Sequence, residues 1–376
     1  MNIEDSMIKV LHVAPDDKFF DDVFAKWEQL GPFENKALLI ASERDYKPKY
    51  IVNLSKLEIV QHGEDVKKRL QKDDYQVIYF HSLSAYLYKY VKFIPNDRTV
   101  IWWAWGFELY YENVSPYPLV KRNLYKPITQ TYFGKRTLLY SLYHNTLNKV
   151  RDIRVKRQQV GVLRRIDYFQ PVTQIEYALM QRIRGFRAKE FYYDGSLGIS
   201  EKKEGVSPVG NILIGNSATS TNNHIDVLQS VIKCRQEEQK IIMPLNYGGD
   251  KQYLEWLKLK MQGIDNLQMI LDFMPKDDYF RLLDTCTYAC FGVVRQQAMA
   301  NIRYALNNGV KVFLYKDSIP YMSLKKLGFV VYAIEEMDEK SLVTPLSSEE
   351  NEQNQKAFEN EIKRRTALYQ DFLETR

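Results

Sequence analysis

NILIGNSATSTNNHI, residues 211–225, is the stretch that decides how this chain is read. Asn211 to Gly215 is a short apolar run of strand character. The small polar residues after it read as a loop. From Ile225 to Glu237 apolar side chains recur at helical spacing. Strand, polar loop and helix in that order form half of a βαβ unit. Backbone N–H groups in such a loop, with a helix N-terminus behind them, favour a diphosphate. No Gly-Lys-Ser/Thr closes the loop as in a Walker A sequence, and one glycine does not make G-x-G-x-x-G. A capped helix behind a polar turn accounts for the same residues, so the loop alone leaves the phosphate role open.

The same rhythm continues on both sides. Downstream, strands are expected at Gln239–Pro244, Leu267–Leu271, Tyr288–Val293 and Lys311–Leu314. Helices are expected at Tyr253–Met261, Asp277–Asp284 and Gln297–Asn307. Upstream, strands are expected at Met7–Ala14, Ala37–Ala41, Gln76–Phe80 and Thr99–Trp105, with helical stretches at Lys18–Gln29 and Lys67–Gln71. Residues 194–209 carry glycines, serines, charges and a proline, and read as a linker. Residues 347–376 are polar without Gly or Pro and predict one long amphipathic helix. A chain of 376 residues is long for one core. The expectation is therefore α/β: two Rossmann-like, doubly wound domains facing a cleft, at 1–193 and 210–346, with the C-terminal helix 347–376 added.

Ligands of such sheets bind beyond the carboxyl ends of the strands, and the unusual residues lie there. Arg295-Gln296-Gln297 follows a strand and precedes a helix; a guanidinium there suits a diphosphate and the amides suit sugar hydroxyls. Met243 to Gly249 is a third strand-end loop, in which Tyr247 is placed to stack on a base. In the first half, Trp102-Trp103-Ala104-Trp105-Gly106-Phe107-Glu108 combines sugar-stacking rings with a carboxylate placed to act as general base. An aromatic core cluster explains the same residues. His12 and His81 each stand at a strand end, as a base, as a phosphate donor, or as structural groups.

Composition narrows the partners. Hydrophobic residues at 45% with 27% charged are ordinary for a globular protein. Between Lys121 and Arg165 stand twelve basic residues and one acid, Asp152, a net of +11. With the whole chain at +6, the remainder is −5. Leucines and tyrosines interleave these charges, a pattern that suits an anionic leaflet and also suits nucleic acid. The three cysteines, Cys234, Cys286 and Cys290, offer no disulfide framework and read as core residues. There is no D-x-D, no H-E-x-x-H and no His/Cys cluster, so no metal or other cofactor is expected. The N-terminus lacks a signal-peptide pattern, and no apolar run approaches the ~20 residues of a membrane span. The expected location is cytoplasmic, peripheral on the inner face of the membrane.

Taken together, these motifs resemble glycosyltransferase family 56, the bacterial transferases that add 4-acetamido-4,6-dideoxygalactose to the lipid-linked intermediate of enterobacterial common antigen. The resemblance rests on His12-Val13, His81-Ser82 and Trp102…Trp105-Gly106…Glu108-Leu109-Tyr110. In the second half it rests on Gly215-Asn216-Ser217…Asn222…His224-Ile225, Pro244…Tyr247, Asp278-Tyr279…Leu282-Leu283 and Arg295-Gln296-Gln297. The family's acid after Trp-Gly is typically Asp; Glu108 keeps the carboxylate on a longer reach. The resemblance implies a metal-independent enzyme of GT-B type. It would use a nucleotide-sugar donor in the C-terminal domain and a polyprenyl-diphosphate-linked acceptor at the anionic membrane surface. Gly215, Asn216, Ser217, Asn222, His224, Tyr247, Arg295, Gln296 and Gln297 would hold the donor. His81, Trp102 and Trp105 would meet the acceptor, and Glu108 or His12 would activate its hydroxyl. A two-Rossmann sugar-nucleotide epimerase and a nucleic-acid-binding protein are the alternatives.

Overall fold

Short runs rich in Val, Ile, Leu and aromatic residues form the strands, and those in the middle of each sheet are buried on both faces while the edge strands are partly exposed, as a parallel sheet requires. The computed structural model describes the chain except residues 1–6, 18–19, 42, 44, 62, 73, 111–123, 134–158, 194–209, 250, 273 and 376. The expected linker 194–209 and most of the basic segment 121–165 thus lie outside the described residues.

The chain forms two compact units. Unit 1 contains strands β1 (Ile8–Ala14), β2 (Phe33–Ala41), β3 (Leu57–Gln61), β4 (Val77–His81), β5 (Thr99–Trp103), β6 (Tyr168–Gln170) and β7 (Lys189–Glu190). They make a seven-stranded sheet in the order β3-β2-β1-β4-β5-β6-β7, parallel at every pairing. The helix Phe20–Gln29 buries Phe20, Val23, Phe24 and Trp27, the i, i+3, i+4, i+7 stripe. Trp27, Phe33, Tyr79 and Phe191 then build one core with Tyr369 and Phe372.

Unit 2 contains β8 (Asn211–Ile214), β9 (Ile241–Pro244), β10 (Leu267–Ile270), β11 (Cys286–Phe291), β12 (Lys311–Leu314) and β13 (Tyr332–Ala333). Their order is β10-β9-β8-β11-β12-β13, again all parallel. Cys234, Cys286 and Cys290 are buried thiols within this unit.

Two segments group away from their neighbours in sequence. Residues 124–133 belong with unit 2, and 368–375, at the end of the helix Ser348–Glu374, belong with unit 1. The first grouping has a visible cause. Asp226 accepts the backbone N–H groups of Ile128 and Thr129 at 2.8 and 2.9 Å, capping the helix Pro127–Tyr132. Tyr132 then packs on Tyr253 and Trp256.

Candidate functional site

Each sheet reverses its strand order once, and a crevice opens where the two departing loops separate. In unit 2 the reversal falls between β8 and β11. The loops leaving those strands are 215–223 and 292–298, the two motifs singled out in the sequence.

Gly215 has φ +69°, and His224 Nε2 lies 3.2 Å from where its Cβ would stand, so the turn requires glycine. Asn222 Nδ2 donates to the Ser217 carbonyl at 3.0 Å and to its Oγ at 3.1 Å. His224 Nε2–H donates to the same carbonyl at 2.9 Å, which leaves Nδ1 to accept from the Tyr253 hydroxyl at 3.1 Å. His224 therefore shapes the loop from behind as a neutral ring. Burial lowers its pKa from 6.5 to about 4. Because the folded value is below the unfolded one, its stabilising share is complete above about pH 6.5 and lost as pH falls towards 4, roughly 3 kcal/mol at most. Replacing His224 by Gln should reduce the drop in the urea midpoint between pH 6.5 and 4.5; an equal drop in both proteins would refute the assignment.

The loops are fastened to each other. Thr221 Oγ1 donates to Gln297 Oε1 at 2.6 Å, and Asn223 Nδ2 donates to the Gly292 carbonyl at 2.6 Å. Asn223 itself adopts φ +50°, a left-handed conformation that Asn tolerates. The sequence reading passed over Asn223; an Asn directly before the helix His224–Cys234 was the available signal. The loop after β9 joins this pair. Ala218 N donates to the Tyr247 carbonyl at 2.8 Å, and Asn216 Nδ2 to the Tyr247 hydroxyl at 2.9 Å. The Tyr247 side chain remains 43% exposed, with ring surface available for stacking.

Four amide oxygens are left over. Asn216 Oδ1, Asn222 Oδ1, Asn246 Oδ1 and Gln296 Oε1 are buried without a hydrogen-bond partner among the described residues. All four are amide oxygens at the carboxyl ends of β8, β9 and β11. Leaving such an acceptor unpaired costs about 1–3 kcal/mol, which a ligand bearing hydroxyl or N–H groups would recover. Arg295 brings positive charge to the same loop, its Nη1 donating to the Gln296 carbonyl at 2.8 Å. The structure thus brings Gly215, Asn216, Ser217, Asn222, His224, Tyr247, Arg295, Gln296 and Gln297 to one edge of one sheet.

The unit 1 residues divide differently. The switch point lies between β1 and β4, the strands of His12 and His81. Asn35 Nδ2 donates to the Trp27 carbonyl, so its Oδ1 faces His12 Nε2 at 3.0 Å and that nitrogen carries the proton. His12 Nδ1 then accepts from His81 Nε2–H at 2.9 Å. Both nitrogens of His12 are engaged in the core, which corrects its reading as a catalytic base. His81 Nδ1 ends the chain as a buried lone pair with no partner among the described residues.

Trp102 is also corrected. It is wholly buried, edge-on to Phe169, and offers no face to a sugar. Strand alternation puts Trp103 beside His81 instead, with centroids 5.6 Å apart. Trp105 is half-buried beyond the strand, edge-on to Trp103 and His81. Glu108 Oε1 accepts the Trp105 N–H at 3.0 Å and closes that turn, while Oε2 has no partner among the described residues. Burial raises the Glu108 pKa. Glu176, absent from the sequence reading, is buried against the Tyr110 hydroxyl at 2.8 Å, and burial raises its pKa to about 7. Its signal was the capping box Thr173-x-x-Glu176. Among the described residues, no three His, Cys, Asp or Glu side chains gather as a metal site, and no helix is long and apolar enough to cross a membrane.

The family described as 4-alpha-L-fucosyltransferase, glycosyl transferase group 56, matches residues 138–357. That is more than half of the chain: it belongs to this family, and it is a glycosyltransferase. Among solved structures, HepE of Anabaena, crystallised with UDP and glucose, superposes with a TM-score of 0.60 at 12% identity, covering 98% of this chain and 99% of that one. A glycosyltransferase from Rickettsia africae gives 0.60 at 10% identity, covering 98% of each. The N-terminal domain of trehalose-6-phosphate phosphatase from Candida albicans gives 0.58 at 11%, covering 96% and 94%. The likeness is one of fold, the two-sheet α/β architecture of GT-B type.

Proposed function

We propose that this member of glycosyl transferase group 56 takes its sugar from a nucleotide-diphosphate donor and passes it to a polyprenyl-diphosphate-linked glycan in surface-polysaccharide assembly, working at the inner face of the cytoplasmic membrane. The observation that carries the donor half is the set of four unpaired amide oxygens beside Arg295 at the unit 2 switch point. Arg295 balances the charge of the departing diphosphate, and Asn216, Asn222 and Gln296 accept hydrogen bonds from sugar or base. Tyr247 stacks on the base. The UDP held by HepE makes a nucleotide the first ligand to try.

For the acceptor, the support is the +11 segment between Lys121 and Arg165. Among the described residues, Glu108 Oε2 and His81 Nδ1 are proton acceptors without a hydrogen-bond partner near the ends of β5 and β4.

A thermal-shift panel of nucleoside diphosphates and their sugar conjugates tests the donor site. A cognate ligand at 100 times its Kd stabilises the folded chain by about 2.7 kcal/mol. If no nucleotide of any base raises the melting temperature, the donor assignment falls.

A further inference from the structure

The crossover from β2 to β3 exposes three large apolar side chains within five residues: Tyr50 at 46%, Val52 at 83% and Leu54 at 54%. Single exposed apolar residues need no explanation, but this group has unusual backbone support. Asp16, just past β1, accepts the N–H groups of Lys49, Tyr50 and Ile51 at 2.6, 3.0 and 3.1 Å, and the Tyr46 hydroxyl at 2.8 Å. Asp21, in the first turn of the next helix, accepts those of Val52 and Asn53 at 2.7 and 3.4 Å. Five consecutive backbone donors are therefore satisfied inside the protein. Burial works against the Asp16 charge, yet these hydrogen bonds prevail and hold its pKa below the usual value. Ile51 is buried against Phe20, Phe24 and Leu39, anchoring the loop in the core.

A loop whose amides are already paired can leave water at little cost, and in lipid every backbone polar group must find such a partner. The carboxylates against the loop, Asp16 and Asp21, are turned to its own N–H groups, and Glu28 is paired with Lys56. From Tyr46 to Leu57 there are three lysines, Lys47, Lys49 and Lys56, and no acid. Lys47 and Lys49 are exposed, and Lys49 Nζ lies 4.9 Å from the Tyr50 ring. Apolar tips with flanking lysines and a tyrosine fit the boundary between headgroups and acyl chains of an anionic bilayer. Asp16 and Asp21 also place residues 46–53 at the carboxyl edge of the unit 1 sheet, the edge where His81 and Trp105 lie.

We propose that the loop Tyr50–Leu54 is a preformed membrane-docking element that seats unit 1 on an anionic lipid surface. Its purpose rests on the lipid-linked acceptor proposed above; its test does not. The full chain should sediment with phosphatidylglycerol-containing vesicles and much less with phosphatidylcholine vesicles. The double variant Val52→Asp/Leu54→Asp should partition about tenfold less or weaker, with an unchanged melting temperature and unchanged transfer to a short-chain, water-soluble acceptor. Wild-type partitioning by the double variant overturns the proposal, as does failure of the wild type to bind anionic vesicles. Unchanged vesicle binding with loss of a dimer in the variant overturns it in favour of a protein contact. Vesicle binding that depends on Val52 and Leu54, in an enzyme that never uses lipid-linked acceptors, upholds the loop and sinks the acceptor reading.

Discussion

Replacing Arg295 with alanine is expected to lower sugar transfer by roughly 10²–10³-fold while leaving the melting temperature unchanged. The side chain stands on the loop leaving β11, beside the unpaired Gln296 Oε1 and across the switch point from Asn216 and Asn222. Its Nη1–H bond to the Gln296 carbonyl fixes the guanidinium on its own loop. A diphosphate leaving group gains negative charge as the glycosidic bond breaks, and a pre-oriented cation stabilises that stage more than the ground state. Loss should therefore fall mainly on kcat. Arg295→Lys keeps the charge but loses the two-pronged geometry, and should recover only part of the rate. The residue is half-buried at a loop, so its truncation leaves no core cavity. Single-turnover transfer and a thermal melt, run together, decide the matter: near-wild-type turnover in Arg295→Ala would remove Arg295 from the donor site.

The parts of this molecule legible in its sequence are those where local pattern and burial agree. β4, β5, β8, β9, β11 and β12 are short, mainly apolar and buried runs, as strands covered on both faces must be, and β1 and β10 are mostly apolar with Lys9, His12 and Gln268 interrupting them. β3, β6, β7 and β13 escaped because they are short or mixed: Leu57–Gln61 carries Glu58 and Gln61, and three of the four have five residues or fewer at the edges of their sheets. The placement of the loops 215–223 and 292–298 directly after strands was legible because small polar residues interrupt an apolar run there. The roles within them were less so. His224 looked like a ligand residue but braces the loop from behind, and Asn223, next to it, makes the contacts that join β8 to β11. In unit 1 the error was one of face. Neighbouring residues in a strand point to opposite sides, so Trp102 and Trp103 could not both serve, and composition alone does not choose between them. The grouping of residues 124–133 with unit 2 depends on Asp226, about a hundred residues away, and no local pattern announces it.

The closeness of the two donor loops gives the other large effect, at Gly292. A methyl group on this residue would stand 2.3 Å from the Asn222 carbonyl oxygen and 2.5 Å from Val227 Cγ2. The first is backbone, which cannot swing aside as a long side chain would. Asn223 holds the other side by donating to the Gly292 carbonyl at 2.6 Å. Gly292→Ala must therefore push residues 215–223 away from β11, breaking that bond and the Thr221–Gln297 bond with it. Overpacking costs about 1–3 kcal/mol, and a buried amide stripped of its partner adds about as much. The variant should melt several degrees lower and bind nucleotide about tenfold more weakly or worse, since Asn216 and Asn222 would no longer face Gln296 across the switch point. Gly161→Ala is the control. It lies in a helical stretch with nothing within 4 Å of a new Cβ, so it should leave both properties unharmed. If Gly292→Ala melts and binds like the wild type, the loops leaving β8 and β11 are not in contact and do not form one site.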